Sequence, residues 1–271
     1  MNTPIEILLD EKLIELLKSL SPAEWEMQTV ATRWKVKDVA AHLLDGNLRG
    51  LSTSRDAFFG EKPTHINSHQ DLVDFLNQLN LTWTNAARRL SPQVIIELLR
   101  TTNEAYSNHL KTLNPSENAV FPVAWAGQNT SPNWLHIARE YTEKFLHQQQ
   151  IRDAVKKEGI MTKELYYPFI DTLMFAFAPT FKDTAAAIGT VVSLEISTEI
   201  GGIWHIIKTN TAWELYKNIP MNSHAKVIIA PEHAWKLFSK SWKPEQVLPK
   251  IEIIGDTILA KQVLTIVAVM A

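Results

Sequence analysis

Residues 139–155, REYTEKFLHQQQIRDAV, place a glutamate and a histidine four positions apart in a stretch that reads as a helix. Residues four apart lie about one turn from each other on the same side of an α-helix. Glu143 and His147 are therefore either half of a metal site or two polar residues on a solvated helix face. The function that the sequence predicts depends on which of these two interpretations is correct.

A helical wheel drawn over residues 132–156 favours the solvated face. The apolar residues gather on one side, namely Trp134, Ala138, Tyr141 and Phe145, flanked by Leu135, Ile137 and Leu146. Glu143 and His147 lie nearly opposite, beside His136, Glu140 and Gln150. An amphipathic helix normally turns its apolar stripe to the core and its polar side to water.

The first 156 residues are typical of an up-down helical bundle. The dipeptide Ser-Pro occurs at 21–22, 91–92 and 131–132, and Ser68 and Asp71 form a capping-box pattern. Serine at an N-cap accepts from free backbone amides, and proline is tolerated at the first helical position. These signals predict helices near residues 4–19, 37–59, 69–90, 92–113 and 132–156, joined by short polar loops.

After about residue 160 the pattern changes to short segments rich in β-branched residues. GTVVSLEIST, GGIWHIIKTN and HAKVIIA predict strands, whereas PEHAWKLFSKSW and DTILAKQVLTIVAVMA return to helical spacing. Strands without regular helical crossovers indicate an antiparallel or mixed sheet. We therefore predict an α+β protein of two domains, a helical bundle over 1–156 and an α+β domain over 160–271.

The composition excludes several classes of function. Apolar residues make up 45% and charged residues 21% of the chain, as in folded proteins. A net charge of -2 gives no bulk attraction for nucleic acid, and the absence of cysteine excludes disulfides, thiolate metal ligands and cysteine nucleophiles. No secretory signal and no apolar run of about 20 residues is present. These features predict a cytoplasmic protein with neither nucleic acid nor membrane as partner.

A second helix, VKDVAAHLLDGNLRGL (36–51), contributes another histidine. His42 lies in a polar stripe with Asp38, Asp45 and Arg49, beside the apolar core face. Taken alone, the stripe is typical of a surface charge ladder. Arg49 is the best placed cation for an anionic substrate, and its alternative role is a salt bridge to Asp45.

Together, WKVKDVAAHLLDGNLR (34–49) and AWAGQNTSPNWLHIAREYTEKFLHQQQIRDAV (124–155) resemble the DinB/YfiT-like metal-binding bundle. They are most similar to the mycothiol-dependent maleylpyruvate isomerase family, in which a Trp-x-x-x-Asp-x-x-x-His stretch and a later Glu-x-x-x-His supply the ligands. Trp34, Asp38 and His42 match the first pattern, and Glu143 and His147 match the second. The resemblance implies that His42, Glu143 and His147 bind one divalent ion, zinc or nickel. Asp38 is expected to orient a ligand imidazole as a hydrogen-bond acceptor.

The resemblance extends to the C-terminal half. HAKVIIAPEHAWKLFSKSW (224–242) and IEIIGDTILAKQVLTIVAVMA (251–271) look like the family's C-terminal α/β domain, which is related in shape to sterol-carrier proteins. The family acts on a dicarboxylate and is expected to hold it with arginine from this domain. Here no arginine follows Arg152, so lysine at 208, 217 or 226 would have to replace it without the bidentate fork.

The resemblance implies a metal-dependent isomerase or S-transferase that uses a low-molecular-weight thiol, such as mycothiol or bacillithiol, on an electrophilic substrate. Arg49 and Trp125 are the candidate substrate-binding residues, and the protein is expected to be a monomer or homodimer. The alternative from another class is a non-catalytic metal- or small-ligand-binding protein. A purely structural two-domain protein is the third interpretation.

Overall fold

The computed structural model describes residues 5–61, 63, 65–217 and 219–268. The chain divides into two compact units. The first comprises residues 1–121 and 132–160, and the second comprises residues 122–131 and 161–271. The helical first unit and the sheet-containing second unit confirm the predicted two-domain α+β class. The loop 122–131, which precedes the last bundle helix, belongs to the second unit.

In the described part of the first unit, the long regular elements are all helices. Its helices are α1 (Ile5–Lys18), α2 (Pro22–Trp25), α3 (Val36–Gly50), α4 (His69–Ala87), α5 (Pro92–Leu110) and α6 (Asn133–Val155). All five predicted helices are present, although α3 ends in a π-helical turn over Leu51–Arg55 instead of continuing to residue 59.

Serine caps set three of the helix starts. Ser21, Ser68 and Ser91 each accept a hydrogen bond from the backbone amide three residues later, as predicted. Ser131 does not cap α6, because this helix begins at Asn133 and Pro132 occupies the N-cap position. The Ser131 hydroxyl accepts from the Val123 amide instead, at 2.8 Å. Val123 and Ser131 both lie in the loop 122–131, which belongs to the second unit.

Side-chain contacts between the long helices establish the up-down order. Trp83 donates to the Ala41 carbonyl and Lys37 to the Arg88 carbonyl, so α4 runs antiparallel to α3. α5 runs parallel to α3, because successive positions of α3 and its π-helical turn contact Thr102, Tyr106 and His109 in that order. α1 runs parallel to α6, because Leu9 meets Gln148 and Lys12 meets Arg152. The core of this unit is formed by residues from α1, α3, α5 and α6.

The second unit is built on a five-stranded mixed sheet. Its strands are β1 (Val191–Ile196), β2 (Gly202–Lys208), β3 (Trp213–Lys217), β4 (Ala225–Ile229) and β5 (Glu252–Gly255), in the order β3-β2-β1-β4-β5. Only β1 and β4 pair in parallel. The helices are α7 (Lys163–Leu173), α8 (Phe177–Thr180), α9 (Pro231–Phe238), α10 (Pro244–Val247) and α11 (Thr257–Val263). In the part of the chain that the structure describes, no helix is both long and apolar enough to cross a membrane.

Candidate metal centre

The first unit brings His42, Glu143 and His147 together. One ligand atom from each residue lies within 4.8 Å of the other two. The two imidazole centroids are 4.6 Å apart in an edge-on arrangement, and His147 Nε2 lies 3.4 Å from Glu143 Oε2. Among the described residues, this is the one group of three or more histidine, aspartate or glutamate side chains close enough to share an ion.

The helical wheel was wrong about the environment of α6. His147 is only 8% exposed, and His136 and Gln150 are also buried, whereas Trp134 on the supposed core face is 46% exposed. The reason is that α6 contacts both α1 and α3, so more than one side of the helix is covered. A polar stripe on such a helix faces other protein groups rather than water.

His147 is held in a defined orientation by its own helix. Its Nδ1 lies 2.9 Å from Oε1 of Gln150, and both side chains are buried. Position i+3 on a helix brings two side chains within reach of each other. The helical wheel placed Gln150 on the solvated side of the helix, although its i+3 spacing from His147 was a signal that could have revealed the contact.

His42 is suited to metal binding because burial keeps it neutral. Its pKa lies well below the ordinary histidine value, first because burial disfavours the charged imidazolium and then because electrostatic interactions with His147 and Arg49 disfavour it further. A neutral imidazole retains the lone pair that a metal requires. The indole of Trp34 packs against both rings, at centroid distances of 4.6 Å from His42 and 5.8 Å from His147.

Asp38 contacts residues other than the imidazoles, and its role in orienting a ligand stays a prediction. Its carboxylate accepts from the Lys35 backbone amide at 3.0 Å and pairs with Arg88 at 3.6 Å, while Nδ1 of His42 is buried without a hydrogen-bond partner. The position explains the outcome, since Asp38 is the third residue of α3 and its carboxylate satisfies the helix N-terminus.

Arg49 forms the predicted alternative contact, an ion pair with Asp45 at 3.0 Å. Burial raises the pKa of the Asp45 carboxyl, and the nearby Arg49 guanidinium opposes that shift. The two residues line an open groove of about 280 Å³ between α3 and α4, together with Leu79, Thr82, Trp83 and Ala86. The Arg49 side chain is 37% exposed, so it remains accessible from this groove.

Trp125 occupies a 3-10 turn, Ala124–Ala126, in the second unit. Its side chain is half-buried, and its indole Nε1 is buried without a hydrogen-bond partner. Its predicted role in substrate binding stays a prediction.

The residues present fit a divalent ion. Two imidazole nitrogens and one carboxylate oxygen form an open site that leaves positions for exogenous ligands. With metal–ligand bonds of roughly 2.0–2.2 Å, two ligands on one ion lie no more than about 4.4 Å apart. The observed limit of 4.8 Å therefore requires only a small inward movement of the side chains.

Two solved structures share the overall fold. A crystal structure of a mycothiol-dependent maleylpyruvate isomerase matches with a TM-score of 0.53 and 13% identity, covering 88% of this chain and 87% of that one. A mutant of a mycothiol-dependent maleylpyruvate isomerase matches with a TM-score of 0.53 and 11% identity, covering 92% and 90%. The sterol carrier protein domain 2 of Helicoverpa armigera matches only 28% of this chain, with a TM-score of 0.23, which supports no conclusion.

No curated protein sequence matches this chain. A family model does match, and it is the N-terminal domain of mycothiol maleylpyruvate isomerase. The match spans residues 8–152, more than half of the 271 residues, and includes His42, Glu143 and His147. The chain therefore belongs to the mycothiol maleylpyruvate isomerase family.

Proposed function

We propose that this protein is a metal-dependent enzyme that uses a low-molecular-weight thiol to isomerise or S-conjugate an electrophilic substrate. The observation that carries the proposal is the convergence of His42, Glu143 and His147 within 4.8 Å. Membership of the family supports dependence on a thiol such as mycothiol or bacillithiol. The ion is proposed to be zinc or nickel, either of which accepts imidazole and carboxylate ligands.

A divalent ion at this position would act as a Lewis acid and lower the pKa of a bound thiol, so that the thiolate would form near neutral pH. The protein's own residues would do the remaining work. His42, Glu143 and His147 would hold the ion, and Trp34 packs against both imidazoles. S-conjugation would form a sulfur–carbon bond and release the leaving group, whereas isomerisation would add the thiolate and then expel it.

The substrate is proposed to differ from maleylpyruvate. Of the lysines that could replace the missing arginine, Lys217 pairs with Asp171 at 2.7 Å and Lys226 with Glu195 at 2.6 Å. Each ammonium is already paired with an acid of this protein, so it attracts a substrate carboxylate less strongly than an unpaired cation would. Charge-assisted hydrogen bonds contribute roughly 1.5–3 kcal/mol each, so a dicarboxylate would lose substantial binding energy. An acceptor with less charge, or one held by Arg49, suits these residues better.

Metal content and turnover test the proposal in one series. Native mass spectrometry should find about one ion per chain, His147→Ala should abolish it, and His65→Ala, which alters an exposed loop histidine, should leave it unchanged. The metal-loaded protein is then offered mycothiol or bacillithiol with maleylpyruvate or a neutral haloarene. We expect conjugation of the haloarene and poor isomerisation of maleylpyruvate.

Two results would count against this proposal. Efficient maleylpyruvate isomerisation would contradict the argument from the missing arginine. Full metal occupancy with no activity for any thiol would favour the alternative function, a non-catalytic metal- or small-ligand-binding protein.

A further inference from the structure

We propose that Gln150 is a positioning residue that fixes the tautomer and the orientation of His147, and so determines how tightly the site binds its metal. The inference rests on the metal site of the proposed function. Gln150 lies three residues after His147 on α6, and the contact between Oε1 and Nδ1 measures 2.9 Å. Both residues are more than nine-tenths buried, at 5% exposure for Gln150 and 8% for His147.

The direction of this hydrogen bond follows from the chemistry of the acceptor. An amide oxygen can only accept, so Nδ1 of His147 must carry the hydrogen. A neutral imidazole with its proton on Nδ1 has its lone pair on Nε2. That nitrogen lies 3.4 Å from Glu143 Oε2, on the side where the three ligands converge. Gln150 thus keeps His147 in the form that can accept a metal ion.

The two histidines of the site differ in this respect. Nδ1 of His42 is buried without a hydrogen-bond partner, and the Trp34 ring contacts its imidazole by packing at 4.6 Å. His147 is farther from the same indole, at 5.8 Å, and has the hydrogen bond instead. Of the two histidines, His147 is therefore the one whose ring is oriented by a hydrogen bond. Removal of Gln150 should accordingly weaken metal binding at this site.

The loss expected from removing Gln150 is large enough to measure. Hydrogen-bond partners of ligand histidines change metal affinity by roughly 10–100-fold when they are mutated. Gln150→Leu removes the acceptor with little change in volume and should weaken zinc binding by roughly that factor. Gln150→Glu keeps an acceptor at the same place, and a carboxylate is a common partner of a ligand histidine, so it should bind zinc at least as tightly as the wild type.

Gln149 provides a matched control on the same helix. It is the adjacent residue of the same type, and its Oε1 is buried without a hydrogen-bond partner. Gln149→Leu makes the same chemical change one position away and should leave zinc affinity unchanged. A general effect of introducing leucine into α6 would lower the affinity of both variants equally.

The experiment has one arm with metal and one without. Competition with a chromophoric chelator measures zinc affinity for the full-length wild type and for Gln150→Leu, Gln150→Glu and Gln149→Leu. Long-range proton–nitrogen NMR of the metal-free wild type reports which nitrogen of His147 is protonated. We expect Nδ1 protonation in the wild type, weakened zinc binding in Gln150→Leu alone, and recovery in Gln150→Glu.

The proposal is overturned if metal-free His147 is protonated on Nε2, or if Gln150→Leu binds zinc as the wild type does. It is also overturned if Gln150→Glu binds more weakly than Gln150→Leu. Should Gln150→Leu fail to fold, the NMR result and Gln150→Glu still decide. A wild type that binds no zinc would instead refute the proposed function, while the NMR arm would continue to test Gln150.

Discussion

Gly50, the last residue of α3, is expected to tolerate no side chain. A Cβ added there would lie 2.4–2.7 Å from three atoms at the phenol end of Tyr106. Ordinary carbon contacts lie at about 3.5–4.0 Å, so one of the two residues would have to move by about 1 Å. Tyr106 is 1% exposed and hydrogen bonds to the half-buried Glu140, which leaves its ring little room to withdraw.

Two opposing effects decide the sign of Gly50→Ala. The backbone of Gly50 is helical, with φ -60 and ψ -44, so alanine alone would stabilise the helix by roughly 0.5–1 kcal/mol. Overpacking of a filled interior costs roughly 1–3 kcal/mol. Gly46 in the same helix has nothing within 4 Å of its added Cβ, so Gly46→Ala gains the helical term without the clash. The difference between the two variants isolates the clash, roughly 1–3 kcal/mol.

Thermal and urea unfolding of both variants provide the measurement. In a domain of this size, each 1 kcal/mol shifts Tm by roughly 2–4 °C. Gly46→Ala should unfold slightly above the wild type and Gly50→Ala clearly below Gly46→Ala. Equal stability of the two variants would show that Tyr106 can move aside, and the close approach of α3 and α5 would then not depend on glycine.

Three further predictions concern buried charge and backbone conformation. Lys144→Met should lower the free energy of unfolding by roughly 3–5 kcal/mol, because it leaves the buried Asp10 carboxylate without the Lys144 ion pair, which measures 2.7 Å. Adding Asp10→Leu in the same chain should recover most of the loss. Gly159→Ala should lower Tm, because φ there is +148 and its Cβ would lie 2.6 Å from Arg152 Nη1; an unchanged Tm would contradict this. In chelator, the free energy of unfolding in urea should fall as pH drops below about 6.5, because His42 has a lowered pKa and unfolding lets it bind a proton; for this one proton the slope is at most about 1.4 kcal/mol per pH unit. His42→Asn should reduce this slope without removing it, because burial also lowers the pKa values of His136 and His205.

Local signals in the sequence predicted the helical unit well. Ser68 and Ser91 cap their helices because a hydroxyl beside free amides needs no tertiary partner to form that bond. Ser131 failed as a cap because α6 begins one residue later than the Ser-Pro pattern predicted, which leaves Pro132 at the N-cap position and the Ser131 hydroxyl bonded to the Val123 amide. Strands β1, β2 and β4 were predicted, while β3 and β5 were not. These two are the edge strands, and many of their side chains are exposed, so their sequences lack a continuous apolar run.

The metal ligands could be found through resemblance but not through periodicity, and the surroundings of α6 explain why. One polar stripe, Glu140, Lys144, Gln148 and Arg152, repeats every four residues, and its members bind Tyr106 of α5 or residues of α1. Another, His147 with Gln150, faces His42 of α3. A wheel reports only which residues are polar, whereas burial depends on whether another helix supplies a partner. Both α1 and α3 supply such partners to α6. Polar residues that water would surround on an outer helix therefore form an ion pair and a candidate metal site on α6.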